Sequence, residues 1–171
     1  MNPIDWLDYE ILGNAVLSWG IAAGVFFIFW LVLLLVRRLL IRRLGKLEER
    51  DESVLAVDVA VDVIRATQGW FLFLIALFVG SRLLEIADNV SLWTARTALV
   101  ATIVQLGMWL SAGVVKSIQT KRQRDLEESP DGVAAMDILS FIARVSIWSI
   151  VVLAALDNLG VNITTMIAGL G

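Results

Sequence analysis

The chain has 171 residues, of which 58% are hydrophobic and 18% are charged, and its formal net charge is −3. Its mean hydropathy of +0.80 is that of a membrane protein, because a soluble domain is about half apolar and about a quarter charged. The absence of cysteine and histidine excludes disulfides, Cys/His zinc sites and thiol nucleophiles. We expect no enzyme and no cofactor, and without a strongly basic balance we expect no nucleic-acid binding.

The first ten residues, MNPIDWLDYE, contain three acidic side chains and no basic one. A cleaved signal peptide begins with a positively charged region, so the sequence predicts none here. We expect residues 1–10 to form a short periplasmic N-terminus.

The first predicted membrane span covers residues 11–36, which are 26 residues without a charge. A crossing needs about 20 such residues. The basic stretch that follows alternates with leucines at helical spacing, so the sequence predicts that the helix continues as an amphipathic basic stalk. A voltage sensor would hold its arginines within the span, so lipid-headgroup contact is favoured for these arginines. They are Arg37, Arg38, Arg42 and Arg43.

Residues 53–68, VLAVDVAVDVIRATQG, alternate like a strand, yet Asp58 and Asp62 are spaced to share one helix face. Between two membrane spans a helix is favoured. With the stalk it forms a predicted cytoplasmic helical hairpin over 37–66, in which the two carboxylates pair with the stalk arginines. A metal or acid-base role is the alternative for this pair of carboxylates.

The second predicted span, 67–86, has a short uncharged centre, and the third, 97–115, is wholly uncharged. Gln105 lies in the middle of the third span. A lone amide there predicts a hydrogen bond to another helix, which contributes about 1 kcal/mol and serves packing rather than substrate binding. Residues 11–118 are thus expected to be peripheral transmembrane helices.

A polar cytoplasmic linker is predicted at 119–137, with a Ser-Pro-Asp-Gly turn inside it. The fourth predicted span, 138–156, contains one charge, Arg144. A charge in a span suggests a sensor or ion pathway, but Arg144 lies only about 10 Å from the start of the span. It is therefore expected to reach the interface and contact headgroups.

Basic residues are concentrated in the loops after spans one and three. The positive-inside rule places these loops in the cytoplasm and the N-terminus outside. The predicted fold is therefore an all-α integral membrane protein with four transmembrane helices and the first part of a fifth. We expect it to lie in a bacterial inner membrane.

The last residues, DNLGVNITTMIAGLG, predict a turn and the start of another helix. The turn residues are Leu156, Asp157, Leu159 and Gly160. Asn162, Thr164 and Thr165 are candidates to cap the new helix. Small residues then follow on that helix, namely Ala168, Gly169 and Gly171. Such a helix can line a narrow pore, or it can be an ordinary packed span.

The stretch 143–171, ARVSIWSIVVLAALDNLGVNITTMIAGLG, resembles the small-conductance mechanosensitive channel (MscS) family. In that family a lipid-facing helix ends in a Leu-x-x-Leu-Gly turn, and a short polar stretch leads into the pore helix. The matching segments are 156–160, 161–165 and 167–171. The first 137 residues carry no motif of the family but fit its larger members, which have extra spans before the common core.

The resemblance implies that 138–171 is a channel-core sensor helix with the start of a pore helix, in a homo-heptamer with membrane lipids and permeating ions as partners. It implies opening under membrane tension during hypo-osmotic stress, and it places the rest of the pore helix and a cytoplasmic vestibule after the position of Gly171. The alternative is a non-channel membrane scaffold that binds lipid or a partner. A transporter fragment has less support, because paired carboxylates within the spans are absent from the sequence.

Overall fold

The computed structural model describes residues 9–48, 55–125 and 132–162, together with Thr165 and Ala168, and it places side chains for 9–46, 59–119 and 135–162 and for those two residues. A short hairpin precedes five helices in this part of the chain. The elements are β1 (Glu10–Ile11), β2 (Asn14–Ala15), α1 (Val16–Glu48), α2 (Leu55–Arg65), α3 (Gly69–Ser81), α4 (Asp88–Asp125) and α5 (Gly132–Asn158).

Three of these helices are long and apolar enough to cross a membrane, over Val16–Lys46, Asp88–Gln119 and Ala135–Asn158. Only 6% of the apolar window of the first and of the third is buried against the rest of the chain. Water-soluble monomers rarely expose apolar surface on this scale. The predicted all-α class is confirmed, because helices make up nearly all of the secondary structure in the described residues. The exposed apolar surfaces of the long helices indicate association with a membrane.

The N-terminal hairpin corrects the predicted start of span one. Glu10 pairs with Ala15, and Ile11 with Asn14. Leu12 and Gly13 have φ values of 54° and 78°, as in the tight turns that join two antiparallel strands. The prediction is wrong for 11–15, because hydropathy does not register a chain reversal. From Val16 the helix is continuous for 33 residues, so the stalk is an extension of the same helix.

Span two also differs from its prediction. α3 has 13 residues, a length of about 20 Å at 1.5 Å per residue, whereas the hydrocarbon core is about 30 Å thick. Among the described residues, a fourth crossing exists only if α2 and α3 are counted together as one broken span. The helical interpretation of 53–68 is confirmed over α2. The predicted linker at 119–137 is helical at both ends, and residues 126–131 lie outside the described part.

By compactness the chain divides into two units. Unit 1 is Met1–Val36 with Gly69–Ala101, and unit 2 is Arg37–Gln68 with Thr102–Gly171. In unit 1, α1 and α3 approach closely at Gly80, where an added Cβ would lie 3.1 Å from both the Ala22 carbonyl oxygen and the Phe26 Cβ. Small residues allow such approaches between membrane helices.

Asn14 fixes the hairpin of unit 1 to the segment after α3. Its side chain donates a 2.8 Å hydrogen bond to the Glu85 carbonyl and accepts a 2.7 Å bond from the Glu85 N–H. Asn14 is 6% exposed. The amide thus bonds both backbone groups of one residue, as a residue of a neighbouring antiparallel strand would.

Candidate functional site

Unit 2 contains an interruption between α2 and α3 at residues 66–68, which are not helical. The fully buried Gln105 of α4 closes this interruption. Its Oε1 accepts a 3.1 Å hydrogen bond from the Gln68 N–H, and its Nε2 donates a 3.1 Å bond to the Ala66 carbonyl. The predicted hydrogen bond from Gln105 to another segment is confirmed, but its partners are backbone groups of a non-helical segment and not of a helix.

Two further side chains complete the closure. Trp109, one turn along α4 from Gln105, donates from Nε1 to the Thr67 hydroxyl at 3.0 Å. Arg37 of α1 donates from its guanidinium to the Arg65 carbonyl at 3.3 Å. Arg65 is the last residue of α2, so this cation lies at the negative end of the helix dipole and satisfies a terminal carbonyl.

The hydrogen bonds at the interruption bear on whether it could bind an ion or a substrate. Broken membrane helices in transporters leave backbone groups that coordinate ions or substrates. Here side chains of the protein already bond the Ala66 and Gln68 backbone and the Thr67 hydroxyl. The interruption is therefore a packed joint whose backbone groups are bonded within the protein.

The carboxylate of Asp62 is paired, but not with the stalk arginines that were expected. Its oxygens lie 3.6 Å from Arg65 on the same helix and 3.5 Å from Lys116 of α4. Lys116 is nearest because α2 packs on α4, as shown by Val59 and Val63 beside Gly113. The side chain of Asp58 lies outside the described residues.

α4 and α5 approach closely at Gly107. A Cβ added there would overlap the Cγ2 methyl of Val151 and lie 3.5 Å from the other two side-chain carbons of this valine. Val151 is 6% exposed, although most of α5 is not covered by the chain. Gly107 therefore fixes where α5 meets the rest of unit 2.

α5 ends in a fully hydrogen-bonded turn. The Gly160 N–H donates to the Asp157 carbonyl at 2.9 Å, and the Val161 N–H donates to the Leu156 carbonyl at 3.0 Å. With a φ of 85° at Gly160, this is the Schellman arrangement, which favours glycine at the left-handed position. Leu156 and Asp157 thus act through their backbone, and Leu159 is 41% exposed.

Helical residues follow the turn, and Asn162 is bonded to one of them. The Asn162 side chain accepts a 3.2 Å hydrogen bond from the Thr165 N–H, as an N-cap residue does for the third helical residue. Thr165 and Ala168 are helical. Thr164, Gly169 and Gly171 lie outside the described residues.

The predicted lipid-contacting arginines fall into two groups. Arg37 is half-buried and bonded to α2, whereas Arg38, Arg42, Arg43 and Arg144 are exposed. Arg144 lines a groove of about 300 Å³ between α4 and α5, together with Ser111 and Trp148. Headgroup contact by the exposed arginines stays a prediction.

Sequence reasoning missed three positions, namely Asn14, Gly107 and the hydrogen-bonding role of Trp109. The available signals were a lone amide early in predicted span one and a glycine near the middle of predicted span three. No family model, curated protein or solved structure matches the chain.

Proposed function

We propose that this chain is the membrane-embedded, tension-sensing part of a mechanosensitive ion channel subunit of the MscS type, in a bacterial inner membrane. In this proposal the N-terminus is outside, and α2 and α3 together make one broken crossing among four. The observation that supports it best is the Gly160 junction. There a helix with little protein cover ends in a closed turn, and another helix starts within a few residues.

The physical basis is the work done by lateral tension. Tension favours the state with the larger in-plane area, so it shifts a two-state equilibrium in proportion to the area gained on opening. The sparsely covered surfaces of α1 and α5 are where lipid would exert that force. The exposed arginines of the stalk and Arg144 would keep headgroups in register with these helices.

Force on α5 reaches the following helix through a short connection. The Schellman turn satisfies its own backbone, so movement at Gly160 requires no new partner from lipid. In the proposed homo-heptamer, the helix that contains Ala168 would line the central pore. Apolar residues further along that helix would close it by dewetting, and ions and small osmolytes would pass when it opens.

The test is patch recording of the full-length protein in liposomes under graded suction. The expected result is a conductance whose open probability rises with tension and falls to zero on release. Conductance that is indifferent to tension contradicts the proposal. A membrane that stays closed up to rupture, with the protein folded and inserted, favours the non-channel scaffold instead.

A further inference from the structure

Unit 1 contains two apolar grooves that run side by side. The first lies between α1, α3 and the start of α4 and has a volume of about 370 Å³. The second lies between α3 and α4 and has a volume of about 330 Å³. Leu77, Val90 and Thr94 line both grooves, so these three side chains form a ridge that separates them.

The size and lining of the grooves select the occupant. Each exceeds the roughly 150 Å³ apolar cavity that accommodates a benzene molecule, and both are lined mainly by apolar side chains. Small residues, among them Ala22, Ala23 and Gly80, open the first groove. α1 and α4 have the length and hydropathy of membrane spans, so the medium beside the grooves would be lipid once these helices are inserted in a membrane. A single hydrocarbon chain fits each groove.

The charges at one end of the grooves select the headgroup. Both grooves extend to Val90 in the first turn of α4. Arg82, Glu85 and Asp88 stand in the adjacent connection and at the start of α4, and all three are exposed. Arg82 forms no ion pair with any residue that the structure describes. A free cation beside two carboxylates complements a phosphate next to an ammonium group, whereas the carboxylates repel a purely anionic headgroup.

We propose that unit 1 binds one zwitterionic, two-chain aminophospholipid. Its acyl chains occupy the two grooves on either side of the ridge, its phosphate meets Arg82, and its ammonium group meets Glu85 and Asp88. The proposal rests on membrane insertion of α1 and α4, but not on channel activity or on which side of the membrane the N-terminus lies.

The test is native mass spectrometry of the detergent-solubilised protein titrated with phosphatidylethanolamine or phosphatidylglycerol carrying identical acyl chains. One phosphatidylethanolamine should be retained per chain. Arg82→Gln should weaken this retention about tenfold, as expected for the loss of one charge-assisted hydrogen bond. Arg38→Gln, an exposed arginine of unit 2, is the matched control and should have no effect.

The groove is tested with a second pair of variants. Ala23→Phe fills the first groove from its open side, whereas Ile21→Phe adds a similar ring to the exposed face of the same helix outside either groove. Ala23→Phe should abolish retention and Ile21→Phe should preserve it. Equal retention of the two lipids, equal effects of Arg82→Gln and Arg38→Gln, or full retention by a folded Ala23→Phe variant would overturn the proposal. Failure of tension gating alone would leave these outcomes unchanged.

Discussion

Replacing Gln105 by leucine removes the amide that closes the interruption in unit 2 while leaving a side chain of similar size. Two backbone groups lose their partner, namely the Gln68 N–H and the Ala66 carbonyl, each bonded at 3.1 Å. Gln105 has no exposed surface, so water does not replace the amide directly.

The magnitude follows from those two bonds. An orphaned buried polar group costs about 1–3 kcal/mol in soluble proteins, but interhelical hydrogen bonds in membranes average about 0.6 kcal/mol and reach about 1.7 kcal/mol. Taking the membrane values for two bonds, Gln105→Leu should lower the free energy of unfolding by about 1–3 kcal/mol. That corresponds to a factor of about 5–150 in the folding equilibrium.

The assay is equilibrium unfolding in mixed micelles titrated with SDS and followed by circular dichroism, together with hydrogen exchange at the Gln68 amide. Gln119→Leu is the control, because it makes the same change at an exposed position of α4, where about 0.5 kcal/mol or less is expected. If both variants unfold at the same SDS fraction and the Gln68 amide stays protected, the closure is not held by Gln105.

Three further changes can be measured by the same unfolding assay. Gly107→Ala should lower the free energy of unfolding by about 1–3 kcal/mol, because the added methyl overlaps Val151. Adding Val151→Ala to the same chain should recover part of this loss. If the losses of the two substitutions simply add, the contact is contradicted. Gly160→Ala should cost about 1–2 kcal/mol, because φ is 85° and no neighbouring atom obstructs a Cβ; a neutral result would mean that the left-handed turn does not form. Asn14→Leu should cost about 1–3 kcal/mol and expose the Glu85 amide to exchange; unchanged exchange would refute this pairing.

The interruption at 66–68 shows which contacts a local sequence pattern can predict and which it cannot. Gln105 is one amide in an uncharged stretch, and a buried amide requires partners, so an interhelical hydrogen bond was predictable. The partner was not, because the same sequence pattern is compatible with an amide on any neighbouring helix. The predicted second span, 67–86, was not confirmed as one helix, because α3 covers only Gly69–Ser81 and apolar composition does not register where a helix begins or ends.

The partners of ion pairs were likewise not predictable from the sequence pattern. Asp58 and Asp62 share a helix face by spacing alone, and the basic stalk next in sequence was the expected partner. Asp62 instead meets Lys116, which is 54 positions away along the chain. Opposite charges pair according to which helices pack together, and that depends on close contacts such as those at Gly113.

The sequence by itself determined the features that depend on neighbours along the chain. These are the apolar helices α1, α4 and α5, the helical stalk, the turn at Gly160, and the capping residue Asn162 that follows it. Hydropathy, residue spacing and the φ that glycine permits are all local properties. Only the tertiary structure decided that the chain reverses at Leu12, that Gly107 receives Val151, and that Gln105 closes a break in another segment. Those outcomes depend on which surfaces come within contact distance, and a one-dimensional pattern does not contain that information.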